Sequence, residues 1–155
     1  MTNNPLRFEC FDFDKLSLRQ LYRVMQLRQE VFVVEQDCPY LDCDDKDTES
    51  YHVCGFDRSD SIEAYTRLVP PGVSYDGYSS IGRVVTSEAI RRQGQGVPLM
   101  EESIRYCLRF WPTYDIKISA QVYIKRFYEN LGFVTTGDEY LEDGIPHVAM
   151  LYVRS

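Results

Sequence analysis

A strand, a basic loop bearing two glycines and a helix follow one another in mid-chain, and this order constrains the fold more than any other feature. Ser80 to Thr86 (SIGRVVT) alternates and carries β-branched residues, as a half-buried strand does. Arg91-Arg92-Gln93-Gly94-Gln95-Gly96 comes next. From Val97 to Phe110, residues Val97, Met100, Ile104, Cys107, Leu108 and Trp111 recur mainly at steps of three and four; they predict a helix stopped by Trp111-Pro112. Glycines directly ahead of a helix let the backbone turn tightly and gather free N–H groups where the positive end of the helix dipole points. The amides of Arg92 to Val97 therefore read as an anion cradle suited to a diphosphate, with Arg91 or Arg92 adding charge.

Several loops share parts of this pattern. A nucleotide-hydrolysing loop needs Gly-x4-Gly-Lys-Ser/Thr, and no Lys-Ser/Thr follows Gly96. A dinucleotide loop needs Gly-x-Gly-x-x-Gly, and Leu99 stands where the third glycine belongs. A surface turn with a basic flank is the plain alternative. What remains is Arg91-x-x-Gly94-x-Gly96 after a strand. A second element accompanies it: Gln121 to Phe133 reads as a short helix ending in Tyr128-x3-Gly132-Phe133. There Gly132 closes the helix and Phe133 opens the next strand. With a further strand at Asp115 to Ala120 between the two helices, these motifs resemble the GNAT acetyltransferases from about Ile81 to Phe133. Leu27 to Tyr40 and Glu142 to His147 are similar to the ElaA-like branch of that superfamily, so the resemblance covers nearly the whole chain.

The resemblance implies an α/β (or α+β) GNAT acyl-CoA N-acyltransferase fold in one domain over residues 1–155, a mixed six- or seven-stranded sheet with helices on both faces. It implies acetyl-CoA as cosubstrate and a primary amine of a small molecule or peptide as acceptor, joined by direct attack in a ternary complex. Cofactor binding falls to the backbone of Val84, Val85 and Thr86, which pairs with the pantetheine arm like an extra strand. Arg91, Arg92, Gln93, Gly94, Gln95, Gly96 and Val97 hold the diphosphate, and Gln121 stands where the family often has Asn. A backbone N–H near Val85 is a candidate for polarising the thioester oxygen. Tyr128 occupies the position whose phenol faces the sulfur. An amine of pKa near 10.4 is only about 10⁻³ neutral at pH 7, so a base or water chain must act. Glu35 and His147 are the candidates, and histidine has the side chain best matched to neutral pH. His52 reads as a sheet residue. The alternative from another class is a non-catalytic acyl-CoA-binding sensor, and a third is a structural module with no affinity for coenzyme A. A homodimer is implied only by analogy with the superfamily.

Composition bounds the remaining classes. The chain has 155 residues, 44% hydrophobic and 14% aromatic, which suffices for one buried core. There is no run of 18 apolar residues, and Met1-Thr2-Asn3-Asn4-Pro5 carries no leader pattern, so a cytoplasmic protein without a membrane partner is expected. A net charge of −7 argues against a nucleic-acid partner. Five cysteines (Cys10, Cys38, Cys43, Cys54, Cys107) are odd in number and fit reduced thiols. Cys38, Cys43, His52 and Cys54 lack the tight Cys-x2-Cys pair of a structural zinc site, and no metal is expected. Asp42, Asp44, Asp45, Asp47 and Glu49 crowd one loop with only Lys46 against them. Calcium is excluded, because Lys46, Asp47 and Val53 stand where an oxygen ligand, a glycine and a glutamate belong. That leaves a solvated acidic loop, or a rim that attracts a cationic amine.

The other elements are short. Leu6 to Phe13 predicts a first strand. Ser17 with Gln20 predicts a capping box, opening a helix whose buried stripe is Leu18, Leu21, Tyr22, Met25 and Phe32, ending near Val34. A loop from Glu35 to Ser50 precedes strands at Tyr51–Asp57 and Ile62–Val69, and Pro70-Pro71-Gly72 opens the next loop. Glu142-Asp143-Gly144 predicts a tight turn before a last strand at His147 to Val153.

Overall fold

The computed structural model describes residues 5–154. Its elements run β1 (Arg7–Asp12), α1 (Leu18–Arg28), β2 (Tyr51–Phe56), β3 (Ile62–Val69), β4 (Tyr78–Thr86), α2 (Gly96–Phe110), β5 (Asp115–Gln121), α3 (Lys125–Asn130), β6 (Val134–Glu142) and β7 (Ile145–Tyr152). The seven strands form one sheet in the order β1-β2-β3-β4-β5-β7-β6. Every neighbouring pair is antiparallel except β4 and β5. A parallel pair needs a crossover, and α2 supplies it. This is a mixed seven-stranded sheet with helices on both faces, as the resemblance implies.

Helices cover both faces. On one, Val24 and Leu27 of α1 pack with Cys54, Phe56, Ile62, Tyr65 and Val85. On the other, Leu99, Met100, Ile104 and Cys107 of α2 and Tyr128 of α3 pack with Val53, Leu68, Ile81, Ile118, Phe133 and Met150. β3 lies between the two layers and is buried along its whole length, its polar residues Glu63, Thr66 and Arg67 included.

The Ser17–Gln20 capping box forms, with both hydrogen bonds made. The buried stripe of α1 differs from the expected one. Leu18 and Tyr22 are 86% and 73% exposed, while Val24, Leu27 and Arg28 face inward. The apolar pattern points elsewhere because a charged residue holds one of the buried positions. In α2, Val97 is exposed, and Leu99 and Ser103 are buried instead. Beyond Arg28 the helix widens into π turns over Gln29–Glu35, with Gln36 N–H donating to Val31 O and Cys38 N–H to Val33 O, both at 3.1 Å.

The acidic loop is the main departure. Asp42 and Asp47 are buried rather than solvated. Arg28, itself fully buried, donates to Asp42 Oδ2 at 2.8 Å and to Asp47 Oδ1 at 2.7 Å. Arg67 grips Asp44 through both terminal nitrogens, at 2.7 and 2.9 Å, and reaches Asp47 Oδ1 at 3.1 Å. Arg83 donates to Asp42 O at 2.7 Å. Three of the five carboxylates thus fold inward onto arginines of α1, β3 and β4. Only Asp45 and Glu49 remain fully at the surface, so the loop is neither a solvated face nor an open acidic rim. No helix among the described residues is long and apolar enough to cross a membrane.

Candidate active site

β4 and β5 pair only at Tyr78↔Asp115 and Ser79↔Ile116, and then part. From Ser80 onward the β4 edge therefore has no strand on that side. A bulge falls in the same stretch: between Tyr65↔Val85 and Arg67↔Gly82 the register slips by one, and Arg83 takes φ +51°. Arg83 is held there by Asp42 O, by Asp44 Oδ2 at 3.3 Å, and by the Tyr40 ring 5.6 Å from its guanidinium carbon.

The parting opens a cleft of about 480 Å³. Its walls include Val84, Val85, Thr86, Arg91, Gln121, Tyr128, Glu35 and His147, eight residues that sequence reasoning assigned to one site. Arg92 to Gln95 lie in the loop beyond Arg91 and Gly96 and Val97 open α2, and none of them is part of the cleft wall. In that loop Arg92 and Gly94 have φ of +64° and +73°, the left-handed turns that form a nest of amides. The first bond of α2 runs from Leu99 N–H to Gln95 O at 3.1 Å. The N–H groups of Gly96 and Val97 thus face out of the helix start, and Pro98 has none to lose. The Gln95 side chain turns inward, accepting from Leu6 N–H at 3.4 Å. These amides fit a diphosphate. A Cβ at Gly94 would meet nothing within 4 Å, so its left-handed backbone alone makes it special. Gly94→Val is expected to raise the dissociation constant for coenzyme A about tenfold, from roughly 1–2 kcal/mol of backbone strain, with the fold retained. Calorimetric titration checks this, and an unchanged constant removes the loop from cofactor binding.

Tyr128 is positioned by the end of α3, where its carbonyl accepts from Leu131 N–H at 3.0 Å and Phe133 N–H at 3.1 Å while Gly132 turns at φ +108°. Burial, with the nearby Tyr123, pushes its phenol up to about 12, so it stays protonated at neutral pH.

Glu35 ends the π turns and takes a two-pronged ion pair from Arg91, at 2.5 and 2.8 Å. That hydrogen bond holds its carboxyl below the usual carboxylate range. A carboxylate so engaged is a poor proton acceptor. His147 is buried, and its Nδ1 donates to Ile145 O at 2.7 Å. A carbonyl can only accept, so the neutral ring has its proton on Nδ1 and a lone pair on Nε2. Gln121 lies directly across from His147 on β7. His52 is a buried residue of β2, joined to Tyr65 Oη at 2.5 Å and Asp47 O at 2.9 Å, away from the cleft. Sequence reasoning overlooked Ser119 and Tyr140. Ser119 shares the cleft-facing side of β5 with Gln121, and that two-residue alternation was the available signal.

Comparison with known proteins gives one answer. The family model described as an acetyltransferase (GNAT) domain matches residues 42–153. The Escherichia coli protein ElaA is 39% identical over 94% of this chain and 95% of its own, and a UPF0039 protein of Synechocystis is 41% identical over 90% of each. A crystal structure of an acyl-CoA N-acyltransferase from Pseudomonas aeruginosa superposes with a TM-score of 0.88 at 41% identity, covering 96% of this chain and 99% of that one. The E. coli ElaA structure does so at 0.87 and 36%, covering 95% and 99%. Acyl-CoA is the donor that this family uses. The chain that carries the parted sheet, the amide nest ahead of α2 and the phenol on the cleft wall belongs to the GNAT acetyltransferases, in their ElaA-like branch.

Proposed function

We propose that this chain is a cytoplasmic N-acetyltransferase that moves an acetyl group from acetyl-CoA to a primary amine by direct attack in a ternary complex. The carrying observation is the parting of β4 and β5 beyond Ser79 and Ile116, because one opening then reaches a free strand edge, Tyr128 and His147 together. Acetyl-CoA supplies an activated acyl group on a thiol that leaves readily. The backbone of Val84 to Thr86 binds its pantetheine arm, an N–H near Val85 polarises the acyl oxygen, and the amides of Arg92 to Val97 bind its diphosphate. Gln121 contributes a side-chain amide at the far wall.

His147 is the better of the two candidate bases. Its Nε2 lone pair is available on the cleft side, whereas the Glu35 carboxylate is engaged by Arg91. Tyr128 donates a hydrogen bond to the departing sulfur.

The test follows free thiol while the protein is incubated with acetyl-CoA and a panel of polyamines, amino acids and peptides. Amine-dependent thiol release well above the hydrolysis background is expected. Binding of coenzyme A without such release across the panel would make the chain a sensor instead.

A further inference from the structure

Part of the cleft wall has no role in that chemistry. β5, β7 and β6 set Gln121 opposite His147 and His147 opposite Tyr140, whose rings stack at 6.2 Å. Ser119 meets Tyr140 Oη at 2.5 Å and donates to Glu142 Oε1 at 3.1 Å. Glu142, at the end of β6, and Asp143, in the turn to β7, both line the cleft. Among the described residues neither has a lysine or arginine partner in an ion pair. The His147 side chain is only 7% exposed, and its Nε2 lies 3.6 Å from Glu142 Oε2, beyond hydrogen-bond reach. A buried ring thus presents an unbonded nitrogen to the cleft beside two carboxylates that lack counter-ions. The cleft's two arginines are both engaged, Arg91 by Glu35 and Arg83 by Asp42 and Asp44.

We infer that this wall is the acceptor subsite and that the acceptor is an aliphatic diamine, with a second ammonium group and no carboxylate. The inference rests on the acetyl-transfer reading above. An attacking nitrogen must be neutral, and once its proton has passed to His147 Nε2 it no longer needs a carboxylate. Glu142 and Asp143 therefore serve a charge that does not react, the second ammonium. A carboxylate on the acceptor would meet two like charges and, among the described residues of the cleft wall, no free lysine or arginine. In the reaction one ammonium gives its proton to His147 Nε2. Its lone pair forms the N–C bond to the acetyl carbon, the C–S bond breaks with its electron pair on sulfur under a hydrogen bond from Tyr128, the nitrogen sheds its second proton to solvent, and the thiolate takes one from solvent. The second ammonium keeps its proton throughout.

The experiment compares kcat/KM for 1,4-diaminobutane, n-butylamine and lysine, in the wild type and in a Glu142→Gln/Asp143→Asn double variant, at two salt concentrations. Binding of coenzyme A is measured alongside. The diamine is expected to exceed n-butylamine about tenfold in the wild type, with lysine below both. The double variant and added salt should each bring the ratio toward one. A wild-type ratio near one, a ratio that the double variant leaves unchanged, or a preference for lysine overturns the diamine assignment while acetyl transfer stands. Coenzyme A binding without turnover of any amine overturns both. Glu142 and Asp143 lie at the surface, so the variant is expected to fold.

Discussion

Tyr128→Phe is expected to lose about 10²-fold in turnover at saturating acetyl-CoA and amine, the lower end of the range of about 10² to 10⁴ for general acids. The phenol at about 12 sits some 3 to 4 units above a thiol of ordinary pKa near 8.5, so complete proton transfer is uphill by about 5 kcal/mol. A hydrogen bond that strengthens as charge grows on sulfur is what the hydroxyl supplies, and removing it lowers kcat more than it raises KM. The ring packs edge-on against Phe127 and Phe133, at 5.2 and 5.9 Å between centroids, and phenylalanine keeps both contacts. The melting temperature should therefore stay within a few degrees of wild type. Steady-state kinetics decides the matter, and an unchanged kcat takes Tyr128 out of the chemistry.

Arg28→Ala is expected to destabilise the fold by about 3–5 kcal/mol, the range for removing one member of a buried ion pair. Asp42 and Asp47 would keep their burial and each lose its fully buried Arg28 partner, leaving only Arg83 at the first and Arg67 at the second. In a domain of this size the melting temperature should fall by roughly 6–20 °C, and a loss under 1 kcal/mol in denaturant titration would contradict the account. The same network sets the acid response. Burial alone would raise the Asp44 and Asp47 carboxyls, but the guanidinium of Arg67 beside the first and that of Arg28 beside the second outweigh it and hold both low. Their stabilisation is complete above the ordinary Asp value of about 3.9 and is lost as pH falls through the lower folded values. His52 acts earlier. Burial lowers its pKa, so the unfolded chain takes up its proton first as pH drops below about 6.5, and stability declines from there until the folded ring titrates. In the wild type two acid steps should appear, and in Arg28→Ala the lower one should shrink.

What the chain revealed by inspection was local. The glycine loop and the Tyr128-x3-Gly132-Phe133 ending are contiguous, and each dictates its own backbone, so both could be read directly. The open strand edge at Val84 to Thr86 was implied only by family resemblance, because no residue encodes where the pairing of β4 and β5 stops. Arg28 escaped notice because its partners lie 14 and 19 residues away, and a charge on a helix ordinarily counts against a buried face. The Ser119–Tyr140–Glu142 wall escaped for a related reason. Its members are 21 and 23 residues apart and meet only through the register of β5, β7 and β6.

The segment from Asp42 to Asp47 has the composition in which one would place an epitope tag or expect a protease to nick the chain. Its backbone is stapled to three separate elements by inward-facing carboxylates, so an insertion there would pull Arg28, Arg67 and Arg83 out of register at once. The hairpin tip at Arg58, Ser59 and Asp60 is exposed and carries only a surface ion pair from Asp60 to Arg7, and it is the place to append a fluorophore or an affinity handle without disturbing the cleft.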